Sequence, residues 1–429
     1  MSAGNLVSLP RLELQALPPG VRAAGRVAAL LAPLVFLFVL WRSDLPDAID
    51  VYRNVRSHGD FEYLLGAGRL VTSDDARLLY SREVDAQAFR AEHGYAFPSW
   101  YPYPPSTALL TSPVSGLSYG EALDVWKAGI VLCGLLVGSA AALAFKNWAW
   151  RAAAVLAVLS WEPMLLNVRI GQTGAFVAGL VALGLLVFMR WEKAGAAVLG
   201  LLGLKPSVAI VGALAVVPRS FQTWARFGAV LAAVVFIPFL WLGAEPLRQW
   251  LDILGDRSST DLGGGHPYNF GLTNVVAIDN RAIYMAFVAA VLAILFVADR
   301  LYRRLGAEAS LAFALYGGLL LNPHSMLYDW PAAFAGLAFL RRSDVLRPFS
   351  NDLCLGVLAV ALFYAGQVSW AEYRDDVFRP LTFWAAAVVA LILVRYAVAA
   401  GATGLLRRAL PSSQTKRTGL LRRALPSSQ

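Results

Sequence analysis

AGAAVLGLLGLKPSVAIVGALAVV, residues 194–217, is an apolar run broken once, at Lys205-Pro206. Neither half, 194–204 or 206–217, reaches the ~20 residues that cross ~30 Å of hydrocarbon as a helix. Proline removes a helical hydrogen bond, and irregular backbone at membrane depth is stable only where it is buried in protein or lines a wet cavity. The run therefore predicts two half-helices meeting at a polar break inside a helical bundle. A second run has the same form, with 309–321 and 327–340 flanking Asn322-Pro323-His324-Ser325. Two breaks at the outward ends of their hairpins predict one cavity.

The rest of the chain fits that reading. It has 429 residues, 58% hydrophobic and 15% charged, where a soluble domain is roughly a quarter charged. Further apolar runs fall near 23–41, 122–145, 148–166, 170–189, 227–243, 282–301, 353–369 and 381–400. The fold class expected is an all-α polytopic membrane protein with about 10–12 transmembrane helices. Arg22 and Arg26 precede the first run, but Trp41-Arg42-Ser43-Asp44 follows it with no small-residue cleavage site, so a retained span is expected. Cys133 and Cys354 lie in apolar runs and read as core residues, not a disulfide or metal pair.

The formal charge of +9 does not mark a nucleic-acid surface, because the basic residues sort by loop. Arg11, Arg22, Arg26, Lys146, Arg151, Arg190, Lys193, Arg219, Arg226, Arg300, Arg303, Arg304, Arg341, Arg342 and Arg347 share one side with the basic residues from Arg395 to Arg423. By the positive-inside rule that side is cytoplasmic. In the long loops 42–121 and 244–281 acidic residues outnumber basic ones, which places both outside. The expected organisation is a cytoplasmic N-terminus (1–22), one transmembrane domain (23–400), and a basic cytoplasmic tail (401–429). The tail repeats residues 403–414 letter for letter at 418–429, reads as disordered or artefactual, and carries no chemistry. The expected location is a bacterial plasma membrane, with the site facing the exterior or periplasm.

On this topology Asp60, Tyr103, Arg169, Gln172, Lys205, His266, Asn322, His324, Tyr328 and Asp329 fall at or near the outward surface. Ionisable groups there are costly and call for a reason. The bland reasons are snorkelling for Lys205 and Arg169, helix capping for His324, an interhelical hydrogen bond for Gln172, and a loop ion pair between Asp60 and Arg56. Together, a carboxylate, a histidine and cations facing one cavity suit group transfer from an anionic, lipid-linked donor. The carboxylate takes a proton from an acceptor hydroxyl, and the cations stabilise charge on a phosphate leaving group. No Walker lysine, Rossmann fingerprint or Cys/His metal spacing occurs. No cofactor is required; a divalent metal would need several converging oxygens around Asp60 or Asp329 and is not indicated.

Five segments in order resemble glycosyltransferase family 87 of the GT-C membrane glycosyltransferases, which includes polyprenol-phosphate-mannose-dependent mannosyltransferases and related arabinosyltransferases. They are Gly59-Asp60-Phe61-Glu62-Tyr63; Tyr103-Pro104-Pro105 with Ser112-Pro113 and Trp126; Ile170-Gly171-Gln172-Thr173; Leu204-Lys205-Pro206; and Asn322-Pro323-His324-Ser325 with Tyr328-Asp329. The resemblance implies a GT-C bundle with external loop helices, and the mixed segment Asp85 to Phe97 suits an interfacial helix. It implies inverting transfer of a sugar, mannose first, from polyprenyl phosphate to a lipid or glycan acceptor. Asp60 would be the general base, with Lys205, His324 and Arg169 near the donor phosphate. Tyr103, Gln172, His266, Asn322, Tyr328 and Asp329 would shape the pocket. Thr173 or Gly174 stands where the family usually has Asn, a departure that bears on substrate more than on reaction type.

Two other functions suit parts of the pattern. A lipid transporter also builds its site from broken helices, but would carry inverted repeats, and none is convincing here. A glycan ligase or polymerase would concentrate basic residues in a large late external loop, and 244–281 has only Arg248, Arg257 and Arg281.

Overall fold

A computed structural model describes residues 19–56, 59–99, 101–261, most positions between 289 and 303, 306–322, 325–343 and 352–373. The described residues contain no β-strand, and helices follow the apolar runs. α1 (Pro19–Val39) continues through a wide turn, Leu40–Asp44, into α2 (Leu45–Asn54). The loop region then supplies α3 (Asp60–Val71), α4 (Ala86–His93) and α5 (Pro105–Thr111). The bundle proper holds α6 (Tyr119–Ala142), α7 (Trp148–Ser160), α8 (Glu162–Ile170), α9 (Gly174–Arg190), α10 (Glu192–Gly200), α11 (Ala209–Val216) and α12 (Phe221–Leu242). After α13 (Ala244–Asp261) come α14 (Ala307–Leu321), α15 (Gly336–Arg342) and α16 (Asp352–Tyr373).

Local chemistry sets these ends. Ser118 and Glu121 form a reciprocal capping box at the start of α6: the Glu121 carboxylate accepts from the Ser118 N–H at 3.0 Å, and the Ser118 hydroxyl accepts from the Glu121 N–H at 3.4 Å. Ser220 accepts from the Thr223 N–H to cap α12. α6 packs on α7 and α9, α10 on α9 and α12, and α11 on α14. Small residues let the backbones close in: a Cβ on Gly195 would lie 2.3 Å from Phe188 Cα in the α9–α10 hairpin.

Tyr119–Ala142, Trp148–Ile170 and Phe221–Leu242 are long and apolar enough to cross a membrane. Gly174–Arg190, Pro206–Val216, Ala307–Leu321 and Asp352–Gln367 are shorter apolar stretches. Lys205 is extended (φ −136°, ψ 83°) between two short 3-10 turns, Leu201–Leu204 and Pro206–Val208, so the first break lies where Lys205-Pro206 puts it. α14 ends at Leu321, and Asn322 leaves the helix with ψ 117°.

Three elements depart from the sequence expectations. The run 148–166 is not one helix, because Trp161 takes extended backbone (ψ 131°) and α8 begins anew at Glu162, with Pro163 in its first turn where the missing N–H has no helical partner to lose. Leu327–Ala335 is a 3-10 segment, not the start of an α-helix, as suits a stretch in which Pro331 has no N–H to give. Both cysteines are free, but Cys354 is exposed and only Cys133 is partly buried, so Cys354 is not a core residue. The runs 282–301 and 381–400 fall largely or wholly outside the described residues, as does the repeated tail.

Candidate active site

The site is built where α3 begins. Gly59 leads into Asp60, the first residue of the helix, and Asp60 is half-buried. Phe61 behind it is fully buried and packs on Trp126 of α6 with ring centroids 5.4 Å apart. Gly171, the left-handed residue that ends α8 (φ 72°), lies so close to this turn that a Cβ there would sit 2.2 Å from Phe61 Cβ. That approach delivers the next residue, Gln172, to Asp60.

Gln172 is 4% exposed and is fixed through both ends of its amide. Its Nε2 donates to the Asp60 carboxylate. Its Oε1 accepts from the Tyr103 hydroxyl at 3.0 Å and from the Thr173 N–H at 3.3 Å. The loop that carries Tyr103 is itself tied down: Tyr80 donates its hydroxyl to the Tyr103 carbonyl at 2.8 Å, and Trp250 of α13 donates to the Pro102 carbonyl at 3.0 Å. Burial pushes the Tyr80 and Tyr101 phenols well above their ordinary range, so they serve as neutral groups.

The second half of the site joins the two broken hairpins. Lys205 Nζ donates to Asp329 Oδ1 at 2.6 Å and lies 4.5 Å from the centroid of the Tyr328 ring. Lys205 and Asp329 are 3% and 1% exposed. Asp329 Oδ2 also accepts from the Met326 N–H at 3.3 Å, which turns the chain into the 3-10 segment. Thr107 in α5 donates to the Leu204 carbonyl at 2.5 Å, pinning the Lys205 turn to the Tyr-Pro-Pro loop. A third link runs through Asn167, whose Nδ2 donates to the Tyr328 carbonyl at 2.9 Å and whose Oδ1 accepts from the Ala175 N–H at 2.9 Å. Gly174 packs on the same carbonyl, at 2.2 Å for a Cβ.

Of the residues singled out from sequence, Asp60, Gln172 and Tyr103 thus form one hydrogen-bonded chain, and Lys205, Asp329 and Tyr328 another. The loop 171–174 touches both. Asn322 is fully buried at the end of α14. Arg169 pairs with Glu162, whose N–H donates to Gln367 Oε1 at 2.8 Å. His266 and His324 lie outside the described residues. Among the described residues no three His, Cys, Asp or Glu side chains gather as a metal site.

Sequence reasoning missed Glu162, Asn167, Thr107 and Lys127. Lys127 in α6 is buried and donates to the Val55 carbonyl at 2.6 Å, just ahead of Asp60. A lysine amid the apolar residues of α6 and a Glu-Pro pair inside an apolar run were the available signals. Asn167 and Thr107 gave none.

Chemically, the site offers a half-open carboxylate held in one orientation and, linked to it by one short loop, a buried lysine paired with Asp329 beside the Tyr328 ring. No solved structure matches the chain. It is 26% identical over 257 residues to the polyprenol-phosphate-mannose-dependent alpha-(1-2)-phosphatidylinositol pentamannoside mannosyltransferase of Mycolicibacterium smegmatis, covering 54% of this chain and 59% of that one. The match thus spans less than two thirds of the relative's length. The pattern of glycosyltransferase family 87 matches residues 101–328, which take in Tyr103, Gln172, Lys205 and Tyr328 and leave Asp60 before the matched stretch. With more than half of its 429 residues matched, the chain belongs to glycosyltransferase family 87.

Proposed function

We propose that this protein is a polytopic membrane enzyme that moves a sugar, mannose first, from a polyprenyl-phosphate donor to a hydroxyl of a lipid or glycan acceptor. The reaction runs at the outer face of a bacterial plasma membrane, with both termini cytoplasmic. Asp60 takes the acceptor proton, and the acceptor oxygen attacks the anomeric carbon from the face opposite the phosphate. The bond from that carbon to the phosphate oxygen breaks, so configuration inverts and polyprenyl phosphate leaves with the bonding pair. Lys205, with His324 and Arg169, stabilises the charge on that phosphate, and no cofactor is required. Tyr103, Gln172, His266, Asn322, Tyr328 and Asp329 shape the pocket.

The observation that carries this reading is the Asp60–Gln172–Tyr103 chain. A carboxylate meant only to close a surface ion pair needs no buried amide to aim it, whereas a general base does. The donor in the name of the Mycolicibacterium smegmatis relative supports polyprenol-phosphate mannose.

The test is transfer from synthetic polyprenyl-phosphate mannose by purified protein. Asp60→Asn keeps the shape and removes the basicity, so turnover should fall by about 10²–10⁴-fold while the detergent melting temperature holds. Turnover by Asp60→Asn equal to wild type removes Asp60 as the base.

A further inference from the structure

The hydroxyl that fixes Gln172 belongs to Tyr103, in the loop Tyr101-Pro102-Tyr103-Pro104-Pro105, where three of five residues are prolines. Such a loop has backbone N–H groups only at its two tyrosines. It cannot hold itself in place by pairing its own backbone, so its carbonyls must be met by other donors. The Thr107 N–H reaches the Pro104 carbonyl at 3.0 Å from the first turn of α5. Two more donors are side chains from other elements. Tyr80 donates to the Tyr103 carbonyl at 2.8 Å, and Trp250 Nε1, 148 residues along the chain in α13, donates to the Pro102 carbonyl at 3.0 Å.

One ring braces both of these side chains. Phe239 of α12 has its centroid 5.4 Å from that of Trp250 and 5.8 Å from that of Tyr80, stacked on the latter at 30°. Trp250 and Ile253, three apart on one face of α13, are buried, while Leu251 is exposed, so the helix presents its indole inward. The contacts then run without a gap: Trp250 fixes the Pro102 carbonyl, the backbone carries that placement to Tyr103, Tyr103 fixes Gln172, and Gln172 fixes the Asp60 carboxylate. A base works only within hydrogen-bond reach of the proton it takes, and a small displacement is enough to slow it. We infer that Trp250 is a positioning residue for Asp60, acting through the Tyr103 hydroxyl, so that the second long loop sets the aim of a base carried by the first. The inference rests on Asp60 being the base.

The experiment is a double-mutant cycle on the purified full chain in detergent, read as kcat and donor KM for transfer from synthetic polyprenyl-phosphate mannose. Trp250→Phe keeps a ring against Phe239 and removes the indole N–H, so the protein stays folded, which its melting temperature checks. One neutral hydrogen bond is worth about fivefold in a rate. Trp250→Phe should therefore lower kcat about fivefold and Tyr103→Phe, one step nearer the base, about tenfold. Donor KM should change little in either, because Lys205 keeps Asp329 and Tyr328. The double variant should lose only about tenfold, since without the Tyr103 hydroxyl the indole has nothing left to aim. An indole that serves only the fold adds its cost to the other, for about fiftyfold in the double variant, and that result overturns the inference. Wild-type kcat in Trp250→Phe, or a rise in donor KM at constant kcat, does the same. Asp60→Asn run beside these variants keeps the two claims apart. If it turns over like wild type, the base assignment falls; if it is inactive and the cycle is additive, only the role of Trp250 falls.

Discussion

Lys205 and Asp329 stand 124 positions apart in sequence and 2.6 Å apart in space, each almost wholly buried. Such a pair is not a simple source of stability, because desolvating two ions offsets most of their attraction, while removing one strands the other at about 3–5 kcal/mol. Lys205→Met or Asp329→Leu alone should therefore lower the melting temperature in detergent markedly. The double variant, with two apolar side chains of similar size, should recover much of that loss. If the pair serves only the fold, the double variant also recovers sugar transfer. If Lys205 faces the donor phosphate, transfer stays lost in a protein that melts near the wild-type temperature. Melting and turnover measured on the same three variants separate the two outcomes.

At the scale of elements, the breaks decide the site, and they were unevenly legible. Lys205-Pro206 and Asn322-Pro323 announce themselves, since proline in an apolar run has few other readings. The break at Trp161 is equally real, but Pro163 sits where a first-turn proline is also acceptable, so the pattern passed for one helix. What no pattern could supply is the pairing of breaks, because Asn167, Thr107 and Gln172 reach partners 69 to 161 residues away. The loop 171–174 is the element that makes those pairings, and its glycines test it. Gly171→Ala meets both a positive φ and Phe61, and Gly174→Ala meets the Tyr328 carbonyl. Each should cut turnover more than tenfold by moving Gln172, with Gly171→Ala the less stable in thermal melts. Lys127→Met should be milder in stability, because α6 keeps its packing. It releases the Val55 carbonyl at the entrance to α3, so we expect kcat to fall with KM for the donor little changed. A rise in donor KM at constant kcat would instead put Lys127 on the donor side.

At the scale of the whole molecule, the charge asymmetry and the site make one claim about orientation. The Asp60 end contains the two loops in which acidic residues outnumber basic ones. The other ends of α9 and α12 carry Arg190, Lys193, Arg219 and Arg226. α9 runs from one set to the other, so a membrane that holds the bundle puts the two sets on opposite faces. On the proposed orientation, which follows the positive-inside rule, the Asp60 end faces outward. Cysteine labelling in intact cells measures this directly once the two native thiols are replaced, a step that matters because Cys354 is exposed and would itself react. Asp75 is exposed, in the same acidic loop as Asp60, and Val345 follows the Arg341-Arg342 pair. Asp75→Cys should react with an impermeant maleimide from outside, and Val345→Cys only after the cells are opened. Reaction of position 345 in sealed cells would invert the molecule and put Asp60 on the cytoplasmic side. There soluble nucleotide sugars are at hand, and the argument for a lipid-linked donor would lose its topological support.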